Sequence, residues 1–132
     1  MSATKHDFPI EQGSSFRLQL IYKDQDNNPI DLTDYCARLT WTTNSGETSI
    51  FTTENMDLSL YSFTIDAPNG TLILMLPASK TNILNFDIAQ YDLEIQSDVD
   101  LYTGGGKEVI RLLYGTITLI KRYSQTNTLL QC

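Results

Sequence analysis

The sequence predicts an all-β fold, an antiparallel immunoglobulin-like β-sandwich of seven to eight short strands with one short helix. Three observations carry this. Apolar and polar residues alternate at period two in several stretches, the pattern of strands with one face in a core. Turn-forming clusters separate those stretches at intervals of about ten residues, the spacing of a sandwich. The run from Tyr22 to Trp41, YKDQDNNPIDLTDYCARLTW, joins a strand exit, an Asp/Asn/Pro turn, a short Asp-Leu-Thr step and the entry of a second strand. An open barrel is the alternative architecture.

Residues 1–12, MSATKHDFPIEQ, are polar and Pro9 interrupts any helix, so they are expected to form an extended arm. The sandwich is expected over 13–122 and a polar tail over 123–132, apolar only at Leu129 and Leu130. Phe16, Leu18, Leu20 and Tyr22 point to one side of the first strand, Arg17, Gln19 and Lys23 to the other, and Ile21 breaks the alternation. Asp26-Asn27-Asn28-Pro29 is a turn, because Asn and Asp tolerate positive φ and Pro cannot continue a ladder. In the second strand, Cys36 to Thr43, Ala37, Leu39 and Trp41 share the core face. Asn44-Ser45-Gly46 turns the chain into a Thr-rich strand over Thr48 to Thr53.

A fourth strand runs from Leu60 to Ile65 and ends at the turn Pro68-Asn69-Gly70. The strand from Gly70 to Leu76 turns Leu72, Leu74 and Leu76 inward. Ile73 and Met75 make its other face apolar too, which predicts cover on both sides. Pro77 to Leu84 lacks alternation and is expected to be the helix, with Ser79 as its cap. Tyr91 to Gln96 alternates cleanly, with Tyr91, Leu93 and Ile95 inward. Asp98 to Gly106 is expected to be a polar, glycine-rich loop. Val109 to Tyr114 and Gly115 to Ile120 form either a hairpin or one long bent strand.

The 132 residues suit one domain, and 41% hydrophobic content suffices for one core. A net charge of -7 disfavours a nucleic-acid groove, although Lys107, Arg111, Lys121 and Arg122 form a late basic cluster. Cys36 and Cys132 are expected to be free thiols, since a disulfide would tie a core strand to the chain end, and this points to a reducing compartment. The N-terminus has no apolar signal core, and no stretch approaches the ~20 apolar residues of a membrane span; assembly in the cytoplasm is expected.

The chemical motifs favour structural explanations. Thr103 to Lys107, TGGGK, fails as a phosphate loop: Leu101 stands where the first Gly belongs, and Glu108 where Ser or Thr belongs. Asp24, Asp26 and Asn28 have calcium-loop spacing, but Pro29 replaces the required Gly and Tyr35 the final Glu. His6, the one histidine, lies in the arm, away from any nucleophile, and with two distant cysteines makes no zinc set. Asp92 and Glu94 sit opposite the core face of their strand, where a solvated surface suits them better than glycoside chemistry. Trp41 shares its face with Ala37 and Leu39, which favours the core over a sugar-stacking platform. No catalytic, cofactor-binding or metal residue is therefore assigned, and no cofactor is expected.

The run Tyr22 to Trp41 resembles a pattern in small virion proteins of tailed bacteriophages. Its elements here are Pro29, Ile30, Asp31, Leu32, Thr33, Tyr35, Ala37 and Arg38. The similarity continues through the Gly-x-Leu strand of Gly70 to Leu76, the helix at Ser79 to Leu84, the Tyr-Asp-Leu-Glu strand from Tyr91 to Glu94 and the closing Arg111 to Gly115. The chain departs where Asn28 replaces the Gly that often precedes the Pro, which keeps the turn available. The pattern is similar to the immunoglobulin-like N-terminal domain of phage upper-baseplate and receptor-binding-protein adaptors. The resemblance covers residues 13 to 120 and carries over no functional residue.

What it implies is a non-enzymatic subunit of a phage tail, baseplate or tail-fibre attachment region. It would dock other virion proteins, be oligomeric within the virion, and touch neither nucleic acid nor membrane. The arm and tail are expected to order on neighbours. A capsid decoration or head-tail joining protein is the first alternative, a carbohydrate-binding module the second.

Overall fold

A computed structural model describes residues 3–54, 60–102 and 105–123. They form an all-β sandwich. The larger sheet, sheet A, orders its strands β1 (Thr4–Lys5), β9 (Gly106–Ile120), β8 (Ile88–Tyr102), β4 (Tyr35–Thr43) and β5 (Thr48–Thr52), and β2 (Phe8–Glu11) also pairs with β9. The smaller, sheet B, is β3 (Phe16–Ile21), β7 (Thr71–Leu76) and β6 (Ser62–Asp66). Three antiparallel hairpins, β4–β5, β6–β7 and β8–β9, supply most of the ladder. The one α-helix among the described residues, α1 (Ala78–Asn82), lies between β7 and β8.

The period-two faces become the two inner walls. Ala37, Leu39 and Trp41 from β4, Tyr91, Leu93 and Ile95 from β8, and Phe63, Leu72, Leu74 and Leu76 from sheet B are all buried. Trp41 is 2% exposed and packs against Phe51 and Phe86, at ring-centroid distances of 4.9 and 5.9 Å. It fills the core, as its alternation predicts.

The Asp-Leu-Thr step is the hinge between the sheets. Leu32 is 1% exposed. Its N–H donates to the Ala67 carbonyl (2.9 Å), and its carbonyl accepts from the Tyr35 N–H (3.0 Å). Asp31 Oδ1 accepts from the Thr33 hydroxyl (2.6 Å) and backbone N–H (2.9 Å). Those two bonds, the hydroxyl's foremost, hold the Asp31 carboxyl below the usual range. Asp34 at φ 68 then turns the chain into β4. Under this crossing lies Gly70, where a Cβ would stand 2.5 Å from the Ile30 carbonyl oxygen and 2.8 Å from that of Tyr22, at φ +59. Gly is required there on both counts.

Several elements differ from expectation. Residues 4–11 do not hang free: β1 and β2 run parallel to β9, and Ile10 is completely buried. Alternation over Phe8 and Ile10 in a segment this short gives a weak signal, and the partner strand lies over a hundred residues away. With the arm included there are nine strands among the described residues, two of them parallel to their neighbour. Of the expected loop over Asp98 to Gly106, Asp98 to Tyr102 belong to β8 and Gly106 to β9, while Thr103 and Gly104 lie outside the described residues. β8 and β9 are each fifteen residues long, with register shifts between Gln96 and Tyr102 that leave Val99 and Leu101 exposed. A ladder needs no buried face, so polarity concealed this ribbon. Met75 is 45% exposed, so the outer face of β7 is open rather than covered. Pro77, not Ser79, precedes α1, without a side-chain cap. The fourth strand starts at Ser62, Leu60 being exposed.

The docked arm has a pH signature. The Tyr91 hydroxyl, behind the arm, donates to the His6 carbonyl oxygen. Burial first, and the Asp7 carboxylate second, push its pKa from 10.0 up to about 12. Folding therefore favours the neutral phenol. Its contribution is whole below pH 10 and is lost as pH rises through about 12. Tyr91→Phe is expected to lower the melting temperature at neutral pH and to flatten its decline between those values. Parallel alkaline slopes in the two proteins would show that Tyr91 titrates freely.

Candidate interaction surface

A β-sandwich interacts through its faces and its edges. Both are built here from the strand register. The edges differ in how they are closed. On β5, the Tyr61 hydroxyl accepts from the Thr52 N–H (3.2 Å) and donates to the Thr52 carbonyl (3.3 Å). On the opposite side of sheet A the arm covers β9, and Pro9 denies it a donor.

Among the described residues, no strand pairs with the outer side of β3. Antiparallel pairs alternate between hydrogen-bonded and non-bonded positions. The Tyr22 N–H donates to the Gly70 carbonyl (2.8 Å), so Leu20 and Leu18, in the same parity, bond inward to β7. The N–H and C=O groups of Arg17, Gln19 and Ile21 therefore point away from sheet B. Alongside them lies a cleft of about 290 Å³ between β3 and β9, lined by Leu20, Ile21, Tyr22, Ile110, Leu112 and Leu113, with Lys23 and Arg111 on its lips. Both cations are exposed, and neither forms an ion pair with a described residue.

The other side of the sandwich, beside β6, has the opposite sign. A cleft of about 490 Å³ is lined by Tyr35, Cys36, Phe63 and Ile65, and by the carboxylates of Asp34, Glu54 and Asp98. The half-buried Cys36 is a free thiol. Burial, and then the Glu54 carboxylate, raise its pKa. A thiol held protonated in this way is a poor nucleophile.

The outer face of sheet A collects the carboxylates singled out from sequence. Glu94 is tied to Arg38 in an ion pair across β4 and β8, and Arg111 faces it from β9. Asp92 lies in a shallow groove of about 510 Å³ with Thr40, Gln90, Arg111 and Tyr114, a residue 41% exposed. Both acids thus face outward, as alternation predicts. Asp24 uses its carboxylate within its own turn, accepting from the Asp26 (2.9 Å) and Asn28 (3.0 Å) N–H groups. The late basic residues do not form one patch. Lys107 and Arg111 lie along β9, whereas beyond its end Lys121 meets Asp87 at 3.8 Å and Arg122 donates to Asn82. His6 packs beside Phe8 at 5.8 Å. Thr103 and Gly104 of the TGGGK segment, the tail over 124–132 and Cys132 lie outside the described residues.

No protein family matches this chain, and no curated protein is a significant match to it. Among the described residues, no group of three or more His, Cys, Asp and Glu could hold a metal ion, and no helix is long and apolar enough to cross a membrane. Sequence reasoning did not identify the β3 edge or the two charged clefts. Their residues come from distant segments, and only the β3–β7 register shows which backbone groups are left over.

Proposed function

We propose that this protein is a non-enzymatic structural subunit of a bacteriophage tail, baseplate or tail-fibre attachment region, docking neighbouring virion proteins. The observation that carries the docking role is the outer β3 edge, with which no strand pairs among the described residues, beside an apolar cleft. Such an edge offers backbone bonds and side-chain pockets to an incoming segment. The resemblance of Pro29 to Arg38 supplies the virion setting. In the structure that segment is architectural, with Leu32 plugged between the sheets. Because residues 4–11 are taken up by β9, neighbour contact falls to the sheet edges rather than to the arm. Assembly in the host cytoplasm and incorporation into the virion belong to the same proposal.

A second reading, glycan binding, is favoured by one observation. The groove on the outer face combines the Tyr114 ring with Asp92, Gln90 and Arg111, a stacking surface among planar hydrogen-bonding groups. Trp41, being buried, takes no part in it. Immunogold labelling of intact virions separates the readings, and the virion proposal expects label on the particle.

A further inference from the structure

We infer that the segment from Ser124 to Leu130 docks on the outer edge of β3 in its own chain, as a strand parallel to β3, with Leu129 seated over the cleft between β3 and β9. This goes beyond the virion proposal and holds in the isolated protein whether or not that proposal does. Where both hold, a neighbour's strand reaches β3 by displacing this segment.

The register of the arm points to it. β2 and β9 pair in parallel at a constant offset of 109 positions, from Phe8 with Ile117 to Glu11 with Ile120. The offset persists past the end of that ladder. The Gln12 N–H donates to the Ile120 carbonyl (2.9 Å), and the Arg122 N–H donates to Gln12 Oε1 (3.1 Å). The Arg122 side chain lies against Gly13, where a Cβ would stand 2.5 Å from its Nη1. The two chain segments thus leave sheet A side by side. The first turns at this corner and becomes β3 of sheet B. The second reaches the same corner at the fully exposed Tyr123.

Continued at the same offset, Thr126 and Thr128 fall beside Arg17 and Gln19, Leu129 beside Leu20, and Leu130 beside Ile21. Neighbours in a parallel pair share a face. Leu129 therefore faces the cleft of about 290 Å³ that Leu20, Leu112 and Leu113 line. Leu130 covers Ile21, which is 40% exposed. The one place where β3 breaks its alternation, Leu20-Ile21, meets the one adjacent apolar pair of the segment. Gln125 and Asn127 fall beside Phe16 and Leu18, at the rim of the seam, where those two side chains are themselves only half buried. Tyr123 to Leu129 spans about 20 Å as a strand, and Ser14 to Leu20 is the same number of residues. The reach therefore needs neither slack nor stretch. Among the described residues no strand bonds the outward N–H and C=O groups of Arg17, Gln19 and Ile21. A parallel strand at this register satisfies them, with the Asn127 N–H donating to the Arg17 carbonyl.

Residue-resolved amide hydrogen exchange and methyl NOEs on the full chain test it. In the wild type the Arg17, Gln19 and Ile21 amides are expected to be protected although they face away from β7, and NOEs should link Leu129 to Leu20 and Leu112. Leu129→Asp/Leu130→Asp removes the apolar anchor. Asn127→Pro removes a ladder donor and keeps both leucines. Each variant should speed exchange at Arg17, Gln19 and Ile21 by about tenfold or more. Leu18 and Leu20, which bond inward to β7, should stay protected in both, showing that the sandwich is intact. Amides at Arg17, Gln19 and Ile21 that exchange as fast in the wild type as in the variants would overturn the inference. So would protection that appears only as protein concentration rises, since the strand would then come from a second copy.

Discussion

Leu32→Ala is expected to destabilise the protein by about 2–4 kcal/mol, the range for removing a buried leucine. Leu32 is 1% exposed and sits where the chain passes from β3 in one sheet to β4 in the other. Its backbone is held at both its N–H and its carbonyl, by Ala67 and Tyr35, so the site cannot collapse freely around the missing methyl groups. The flanking Asp31–Thr33 hydrogen bonds stay intact in the variant, which isolates the packing contribution. Chemical denaturation measures the loss as a shift in midpoint at constant slope. Leu60→Ala, at an exposed position, is the matched control and should change stability by less than about 0.5 kcal/mol. A loss below about 1 kcal/mol for Leu32→Ala would show that the Asp-Leu-Thr step is not the plug between the sheets.

Gly115→Val is expected to free the N-terminal arm. A Cβ at Gly115 would stand 2.5 Å from the His6 carbonyl oxygen, 2.6 Å from Asp7 Oδ1 and 2.9 Å from the His6 carbonyl carbon. Two of these are backbone atoms, fixed between β1 and β2, so no side-chain rotation relieves the clash. The arm has to leave β9. It would take with it Ile10, which is fully buried, and Phe8, which packs against Phe16 and Tyr91. The expected loss is about 2–5 kcal/mol, comparable to deleting a large core side chain. Trypsin should then cut at Lys5 in the variant and spare it in the wild type. If the arm stays protected in Gly115→Val, β9 tolerates the side chain and the arm does not depend on that glycine.

Where alternation was strong, the fold was legible in the sequence. Leu39, Trp41, Leu93 and Ile95 announce their faces because each lies in a long run with polar neighbours on both sides. Leu32 was legible for a different reason: its flanking Asp and Thr are residues that bond to nearby backbone. The arm was not legible, because Phe8 and Ile10 make a signal only two residues long and their partners, Ile117 to Ile120, come at the far end of the chain. The β8–β9 ribbon was hidden by composition, since Asp98 to Tyr102 looks like part of a loop until the pairing of Asp100 with Lys107 and of Tyr102 with Gly106 is seen. The interaction surface was least legible of all. Lys23 and Arg111 are 88 residues apart, and nothing local marks them as the two lips of one cleft.

The central claim is that the protein is a structural part of a phage particle. Immunogold labelling of intact virions with an antibody against this chain tests it most directly. The account predicts label at the tail end, where a baseplate or fibre-adaptor subunit would sit. Label on the head would move the protein to decoration or joining. Intact virions that carry no label would contradict the claim and return attention to the Tyr114 groove and glycan binding.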